Sequence, residues 1–252
     1  WDCCKPSCSW LGNVPSELRP AQSCSIDGVQ LPAASSWQDE AASACDTDGI
    51  AYACLDQTPR VDADDPERTS FAYAATPPGA SSTCGTCFEL RFTGKAGAYM
   101  YSGTDVGAAQ LLGKRLVVQA TNIGYDVASD QFDLLIPGGG VGLFDACSVQ
   151  LDAIGREQHS NRTSHQHAHA HAHAHHPALG KTYGGLLAEC QIVEPLTQTN
   201  LTARKQCVRR MCAALYGSSP HLSMQLAGCH WFVDWYECAD NPQHDWRPIP
   251  CP

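Results

Sequence analysis

Two aspartates occur in sequence settings that could make them a catalytic pair. Asp2 follows a tryptophan and precedes Cys3 and Cys4, so disulfides at these cysteines would hold its carboxylate rigidly. Asp133 lies in the apolar run 132–136 (FDLLI), where loss of solvent is expected to raise its pKa. A carboxylic acid and an ionised carboxylate are the groups that acid–base cleavage of a glycosidic bond requires. Alone, each is weak evidence, because an aspartate in a strand more often caps a turn or pairs with a cation.

The elements that would position these residues are short strands. Residues 87–92 (CFELRF) alternate apolar and polar as a half-buried strand does, and residues 114–120 (KRLVVQA) are typical of a buried strand. The run 132–136 ends at Pro137 and three glycines. Residues 1–60 are rich in Cys, Pro, Ser and Gly and are predicted to be loops and short strands held by disulfides. Many short strands between such turns indicate a β-barrel with long loops.

Two later segments differ from this pattern. Residues 201–216 carry apolar side chains at helical spacing, and Asn200 can cap the start, so a small helical excursion is predicted there. Residues 155–182 form a low-complexity insertion in which eight histidines lie between His159 and His176. Alternating His and Ala offers no core-forming face, so we expect an exposed loop. Its neutral imidazoles are expected to bind Zn²⁺ or Cu²⁺ in vitro, but low-complexity drift of a loop or a built-in purification aid is the favoured explanation of the tract.

Cysteine usage indicates the compartment. The chain holds 15 cysteines in 252 residues, and an oxidising environment would pair them. Metal binding is the alternative, but no second CxxC lies at the spacing of a zinc site. Sequons at Asn161 and Asn200 also suit a secreted glycoprotein. We therefore expect an extracellular protein whose signal peptide has been removed before Trp1.

Charge and hydropathy exclude several kinds of partner. The net charge of −10 disfavours nucleic acid and anionic membranes, which bind basic surfaces. No run approaches the roughly 20 apolar residues that span a bilayer. A neutral polysaccharide is compatible with this charge.

Five blocks of sequence resemble one known family. Residues 1–10 (WDCCKPSCSW) resemble the signature of glycoside hydrolase family 45, the small fungal and animal endoglucanases. Residues 130–147 (DQFDLLIPGGGVGLFDAC) resemble its second block. Residues 56–59 (DQTP), 71–76 (FAYAAT) and 231–242 (WFVDWYECADNP) resemble further blocks, in family order. The resemblance covers most of the chain.

The resemblance implies a fold and a mechanism. The fold is mainly β, a six-stranded double-psi β-barrel with an open groove, as a single catalytic domain over residues 1–252 with no separate carbohydrate-binding module. The activity is that of an inverting endo-β-1,4-glucanase, with Asp133 as general acid and Asp2 as general base. Inversion places the two carboxyls about 6.5–9.5 Å apart, with water between them. Asp126 matches a third aspartate on a mobile loop, which would assist the acid or close over the substrate.

The resemblance also implies how substrate is held. Trp10 matches a tryptophan of the groove, where the apolar face of a sugar ring stacks on an aromatic ring. Tyr73, Ala75 and Asn241 match other groove positions. Lys5 could contact a sugar hydroxyl or Asp2, although an ordinary surface lysine is the simpler interpretation. The implied substrate is a β-1,4-glucan. No cofactor or metal is expected, and the protein is expected to be a monomer.

The family's cysteine pairing can be carried over position by position. It implies Cys3–Cys147, Cys4–Cys45, Cys8–Cys84, Cys24–Cys54, Cys87–Cys251 and Cys190–Cys229. Cys207, Cys212 and Cys238 are extra, so two of them could pair, or the helical excursion could change the partners of Cys190 and Cys229. The family's further bridge is absent, since Gly85 occupies its first position.

A second class of protein remains open. Expansin-type proteins share the barrel and an aspartate like Asp133, but they loosen glucan without hydrolysis and lack the base at Asp2. The presence of both carboxylates favours the enzyme. Gln131 and Arg60 replace a frequent histidine and a frequent tryptophan of the family, which affects substrate preference more than reaction type. A metal-dependent protein that uses the histidine tract is the third possibility, and insensitivity to chelators would count against it.

Overall fold

The structure is a computed structural model of the chain. The described residues are 2–54, 56–57, 59–65, 67–78, 84–96, 111–125, 127, 131–135, 139, 141–142, 144–150, 190, 202–203, 206–207, 210 and 242–252. Within them the chain is mainly β, with three short 3₁₀ helices at Ser7–Ser9, Leu11–Asn13 and Trp37–Asp39. No helix among these residues is long and apolar enough to cross a membrane.

The N-terminal quarter is a set of loops with little regular structure. Among its described residues, β1 (Ser23–Cys24) pairs with β2 (Tyr52–Ala53) in an antiparallel sheet of two strands. Such short strands bury too little apolar surface to be stable alone. Disulfides supply the missing constraint, as the sequence predicted for residues 1–60.

Within the described ranges the main sheet has six strands. They are β3 (Arg60–Val61), β4 (Thr69–Thr76), β5 (Cys87–Ala96), β6 (Arg115–Ile123), β7 (Asp133–Leu134) and β8 (Pro242–Ile249). The order is β3-β4-β6-β5-β8, and β7 pairs with β4. β3 and β8 lie at the two ends of this path, and no pairing among the described strands closes it into a barrel. A mainly-β fold is therefore confirmed at the coarse level.

The two central strands run parallel and shift register once. β4 and β6 are aligned from Thr69 opposite Arg115 to Ala74 opposite Ala120, and Ala75 then lies opposite Asn122. This bulge leaves one extra residue on β6. Bulges bend a strand and redirect its side chains, and they are frequent beside active sites.

Alternation along β4, β5 and β6 builds the main core. Its buried members are Ala72, Ala74, Phe88, Leu90, Phe92, Leu111, Leu116, Val118 and Ala120. Phe132 and Leu134 pack against this cluster from either side of Asp133, and Phe132 contacts Phe88 with ring centroids 5.2 Å apart. The predicted strands at 87–92 and 114–120 are thus present and longer, whereas the strand predicted at 132–136 has two residues, in β7.

A buried carboxylate ties three strands together on the other face of the sheet. The Glu89 side chain is only 3% exposed, and its carboxylate accepts from the guanidinium groups of Arg91, Arg115 and Arg247 at 2.7–3.1 Å. Desolvation favours the neutral acid, but the hydrogen bonds and charges of these arginines prevail, and the pKa of Glu89 lies below its usual value.

Five of the disulfides that the resemblance implies are present. They are Cys3–Cys147, Cys4–Cys45, Cys8–Cys84, Cys24–Cys54 and Cys87–Cys251. The implied Cys190–Cys229 bridge is wrong, because Cys190 pairs with Cys207, 17 residues later in the chain. The described residues within 202–210, which include Cys207, are helical. Cys207 on this helical segment therefore replaces Cys229 as the partner of Cys190. Cys212, Cys229 and Cys238 lie outside the described residues, as does the histidine-rich insertion.

Candidate active site

Asp2 is held by the two residues that follow it and by its own backbone carbonyl. Its neighbours are covalently fixed by the Cys3–Cys147 and Cys4–Cys45 disulfides. Its carbonyl oxygen accepts the amides of Ala146 at 3.0 Å and Cys147 at 3.2 Å. Cys3 has a left-handed backbone conformation with φ of 60°, which is uncommon for a residue with a side chain. A residue so close to a chain end is expected to fray unless it is tied down, and these contacts tie it.

The carboxyl of Asp2 has an unusual environment. Burial raises its pKa above the ordinary value of 3.8. The amide of Cys4, which donates to Oδ1 at 2.9 Å, opposes this shift, whereas the negative charge of Asp133 adds to it. The pKa of Asp2 is thus raised both by desolvation and by electrostatic repulsion from Asp133.

Asp133 has the opposite environment. It is the first residue of β7 and lies opposite Ala75 of β4. Because side chains alternate along a strand, Phe132 and Leu134 turn toward the core and Asp133 turns away from it. Asp133 is exposed, so the burial predicted from its apolar neighbours is wrong.

One open cavity brings the two carboxylates together. It has a volume of about 270 Å³ and is lined by both Asp2 and Asp133. The other lining residues are Cys4, Lys5, Ser43, Cys45, Asp46, Ala75, Asn122, Ile123, Gly124, Tyr125, Val141, Gly142 and Phe144. The cavity lies where the N-terminal loops meet the ends of β4 and β6 and the start of β7.

Lys5 and Trp10 form a pair beside this cavity. Lys5 is only 7% exposed, and its ammonium donates to the carbonyl of Ala41 at 2.9 Å. The same ammonium lies 3.4 Å from the centroid of the Trp10 ring, a close cation–π contact. Burial lowers the pKa of Lys5, and the charge of Glu40 partly opposes this. The ammonium is therefore already engaged by Ala41 and Trp10.

The other residues predicted for the site do not all lie in this cavity. Ala75 lines the cavity of the two aspartates. Tyr73 instead lines a separate cavity of about 230 Å³, which it shares with Asp56 and Arg60. Asp126 and Asn241 lie outside the described residues.

Three polar residues of the cavity were missed from the sequence. Asp46 supplies a third carboxylate, next to the bridged Cys45. The Ser43 hydroxyl accepts the amides of Lys5 and Cys45, each at 3.2 Å. The position of Asn122 depends on the bulge in β6, so no local sequence pattern marks it.

Asn122 also joins the N-terminal loop to the sheet. Its Oδ1 accepts from the amide of Ser7 at 2.8 Å and from the Ser7 hydroxyl at 2.9 Å. The Ser7 hydroxyl oxygen in turn accepts the amide of Ile123 at 2.6 Å. These bonds fix the loop that carries Asp2 against the strand that leads to Tyr125.

No cluster of metal-ligating side chains occurs in the part of the chain described above. The chemistry available at this cavity is that of carboxylates. Two carboxylates that share an open cavity, one desolvated and one exposed, are suited to a pair of proton transfers on a single bond.

Comparison with known proteins defines the class. The sequence profile of glycosyl hydrolase family 45 matches residues 1–172. Endoglucanase B of Cellvibrio japonicus is 41% identical over 252 residues, which are 100% of this chain and 42% of that protein. An endoglucanase of Cryptopygus antarcticus is 28% identical over 255 residues, covering 100% of this chain and 81% of its own. The crystal structure of a cellulase from this Antarctic springtail has a TM-score of 0.62 at 28% identity, covering 100% of this chain and 88% of that one.

The chain belongs to glycosyl hydrolase family 45. The resemblance identified from the five sequence blocks is confirmed. The chain spans less than half the length of the Cellvibrio relative.

Proposed function

We propose that this protein is a secreted endo-β-1,4-glucanase that cleaves internal bonds of cellulose and related glucans with inversion. The observation that carries the proposal is the cavity lined by both Asp2 and Asp133. Membership of family 45 and the names of the relatives support the substrate class. The disulfides support an extracellular location.

In the proposed mechanism the two aspartates act in one step. Asp133, in its protonated form, donates its proton to the glycosidic oxygen as that bond breaks. Asp2, ionised, removes a proton from a water molecule that attacks the anomeric carbon from the opposite face. The products are an α-configured reducing end and a free hydroxyl on the leaving sugar.

The environment of Asp2 supports its role as the base. A carboxylate whose pKa is raised by burial is more basic, so it removes a proton from water more readily. The exposure of Asp133 supports its role as the acid, because a group that has donated its proton must take up another from solvent before the next turnover. Asp126 is proposed to assist the acid from the segment that precedes β7.

The Trp10 ring is proposed to hold a sugar, with Lys5 supporting it from one side. The contact between the Lys5 ammonium and this ring supports a fixed ring position. Ala75 is proposed to line the groove at the scissile bond because its small side chain leaves room beside Asp133. Tyr73 and Asn241 are proposed to contact the glucan farther from the cleavage point.

We further propose that the sheet closes into the six-stranded double-psi barrel of the family and that the chain is one monomeric catalytic domain. The springtail cellulase structure supports a shared fold over the full chain. The non-hydrolytic expansin-type alternative is less favoured, because such proteins lack a base at the position of Asp2.

Hydrolysis is tested by the release of reducing ends from soluble carboxymethylcellulose. The wild type is expected to release them, and a wild type that binds cellulose without releasing any would favour the expansin-type alternative. Proton NMR of the first-formed product tests inversion. The α-anomer is expected, and an initial β-anomer would exclude an inverting mechanism.

A further inference from the structure

Two exposed aromatic side chains of the active-site cavity have no role in the mechanism above. Tyr125 is 90% exposed and Phe144 is 53% exposed, and both line the cavity of Asp2 and Asp133. Exposed apolar side chains are common singly on protein surfaces. Two aromatic rings at one cavity are different, because they form a surface that a ligand can cover.

The backbone beneath Tyr125 is fixed. The amide of Gly124 donates to the carbonyl of Thr76 at 3.0 Å, and that of Val127 donates to the carbonyl of Gly124 at 3.3 Å. Val127 is itself buried and packs against Ala75. Tyr125 therefore projects from a tight turn whose two flanks are attached to the sheet.

The backbone beneath Phe144 is fixed to the proposed base. Two residues later, the amide of Ala146 donates to the carbonyl of Asp2 at 3.0 Å. The Asp145 carboxylate accepts the amide of Ser148 at 2.9 Å and so caps the helical turn that follows. A ring carried on such a support loses little further backbone freedom when a ligand covers it.

The chemistry of these two rings selects the ligand. Both rings are planar and uncharged, and each therefore offers a flat apolar face. A pyranose ring presents C–H groups on its faces and hydroxyls around its rim, and its faces stack on aromatic rings. Tyrosine and phenylalanine have only two side-chain torsions, which keeps the entropic cost of ordering them low.

We propose that Tyr125 and Phe144 each stack on a glucosyl ring of the chain held in the cavity and thereby set which glycosidic bond lies between the two aspartates. This inference rests on the proposed function, because it takes the bound ligand to be a β-1,4-glucan. It assigns the two residues to substrate binding and positioning.

The test measures binding in the absence of turnover. Asp133→Asn serves as the background, and affinity for cellohexaose is measured by isothermal titration calorimetry. Tyr125→Ala and Phe144→Ala are each expected to weaken binding about tenfold, the loss of one stacking contact of roughly 1.4 kcal/mol. Tyr125→Phe is expected to restore binding, because it keeps the ring and removes the hydroxyl.

Trp37→Ala is the matched control. Trp37 is 74% exposed but is not among the residues that line the cavity. Its removal is expected to change the affinity less than twofold. All variants should melt within about 2 °C of the background, because exposed substitutions change stability little.

Three results would overturn the proposal. Unchanged affinity of Tyr125→Ala and Phe144→Ala, or no binding of cellohexaose by the background, would exclude stacking at these rings. A Tyr125→Phe protein as weak as Tyr125→Ala would assign the effect to the hydroxyl. If instead the rings affect binding but the wild type releases no reducing ends, this inference stands and the proposed hydrolytic function fails.

Discussion

Asp2 and Asp133 line the same cavity but are held in opposite ways. Asp2 is half-buried, precedes two disulfide-bonded cysteines, accepts a hydrogen bond from the backbone of Ala146, and has a raised pKa. Asp133 is exposed on a strand of two residues that is paired with β4. Disulfide bonds therefore position the carboxylate of Asp2, whereas the packing of Phe132 and Leu134 against the core positions that of Asp133.

The largest effect is expected from removing either carboxylate. Asp2→Asn and Asp133→Asn are each expected to lower kcat on carboxymethylcellulose by about 10²–10⁴-fold, the contribution of a proton-transfer group. Asp46→Asn is the matched control, since Asp46 lines the same cavity but has no assigned role. A loss in Asp46→Asn as large as in the other two would show that the pair has been assigned wrongly.

The next prediction concerns removal of the Cys4–Cys45 disulfide, which helps to hold Asp2 in place. Replacing Cys4 and Cys45 together by alanine is expected to lower stability by about 4 kcal/mol, the chain-entropy value for a loop of this length. The control is the same change at Cys24 and Cys54. The two bridges span 41 and 30 residues, so their stability costs should be similar.

Activity separates these two double variants. With both proteins folded at low temperature, loss of the Cys4–Cys45 bridge is expected to lower kcat at least tenfold, because Asp2 is no longer held in place. Loss of the Cys24–Cys54 bridge should leave kcat within about twofold. Equal kcat values in the two variants would contradict the view that the disulfide positions the base.

A third prediction compares the site with a charge cluster that serves stability alone. Glu89→Gln is expected to lower the free energy of unfolding at pH 7 by about 2 kcal/mol, less than for a fully buried pair because its arginines are partly exposed. The folded-state pKa of Glu89 is lowered, so this stability is present above its usual pKa of 4.5 and is lost as pH falls through the folded value. Urea denaturation at pH 7 and at pH 3 measures the difference.

The exposed Glu67 provides the control for that cluster. Glu67→Gln should change the unfolding free energy by less than about 0.5 kcal/mol at either pH. Neither substitution should alter kcat, because neither residue lines the cavity. A cost for Glu89→Gln that is independent of pH would contradict the role given to its charge.

The smallest expected effect concerns the cost of keeping Asp2 ionised. Because burial raises its pKa in the folded state, the ionised side chain destabilises the fold at neutral pH, and this cost disappears below the ordinary pKa of 3.8. Asp2→Asn is therefore expected to raise stability at pH 7 and to change it little at pH 3. Its side-chain oxygen can still accept the amide of Cys4.

Asp133→Asn is the comparison for that prediction. An exposed carboxylate carries little desolvation cost, so its removal should change stability by less than about 0.5 kcal/mol. A gain for Asp133→Asn larger than that for Asp2→Asn would contradict the environments described above. At Asp2, the same substitution to Asn is therefore expected to lower kcat and to raise the free energy of unfolding at pH 7.

Two of the long strands, β5 and β6, could be predicted from the sequence because their patterns are regular, whereas β4 and β8 were not predicted. β5 includes residues 87–92, which alternate apolar and polar, and β6 includes most of the apolar run 114–120. The burial of Asp133 was predicted wrongly because its neighbours are apolar. Alternation is the more reliable guide at this position, since it sends Phe132 and Leu134 inward and Asp133 outward.

Contacts between distant parts of the chain could not be predicted in the same way. The Lys5–Trp10 pair, the third carboxylate Asp46 and the bond from Ser7 to Asn122 depend on how the N-terminal loops pack on the sheet. The five matching disulfides followed from family resemblance. The Cys190–Cys207 bridge did not, because it involves a helical segment that the family pattern does not contain.

The central claim is that Asp133 is the acid and Asp2 the base, and leaving-group dependence tests it most directly. Hydrolysis of aryl β-cello-oligosaccharides with good and poor leaving groups is measured for Asp133→Asn and Asp2→Asn. Asp133→Asn is expected to keep near wild-type rates with the good leaving group, which departs without a proton, and to fail with the poor one. Asp2→Asn should be slow with both. The reverse pattern would assign the acid to Asp2 and contradict this account.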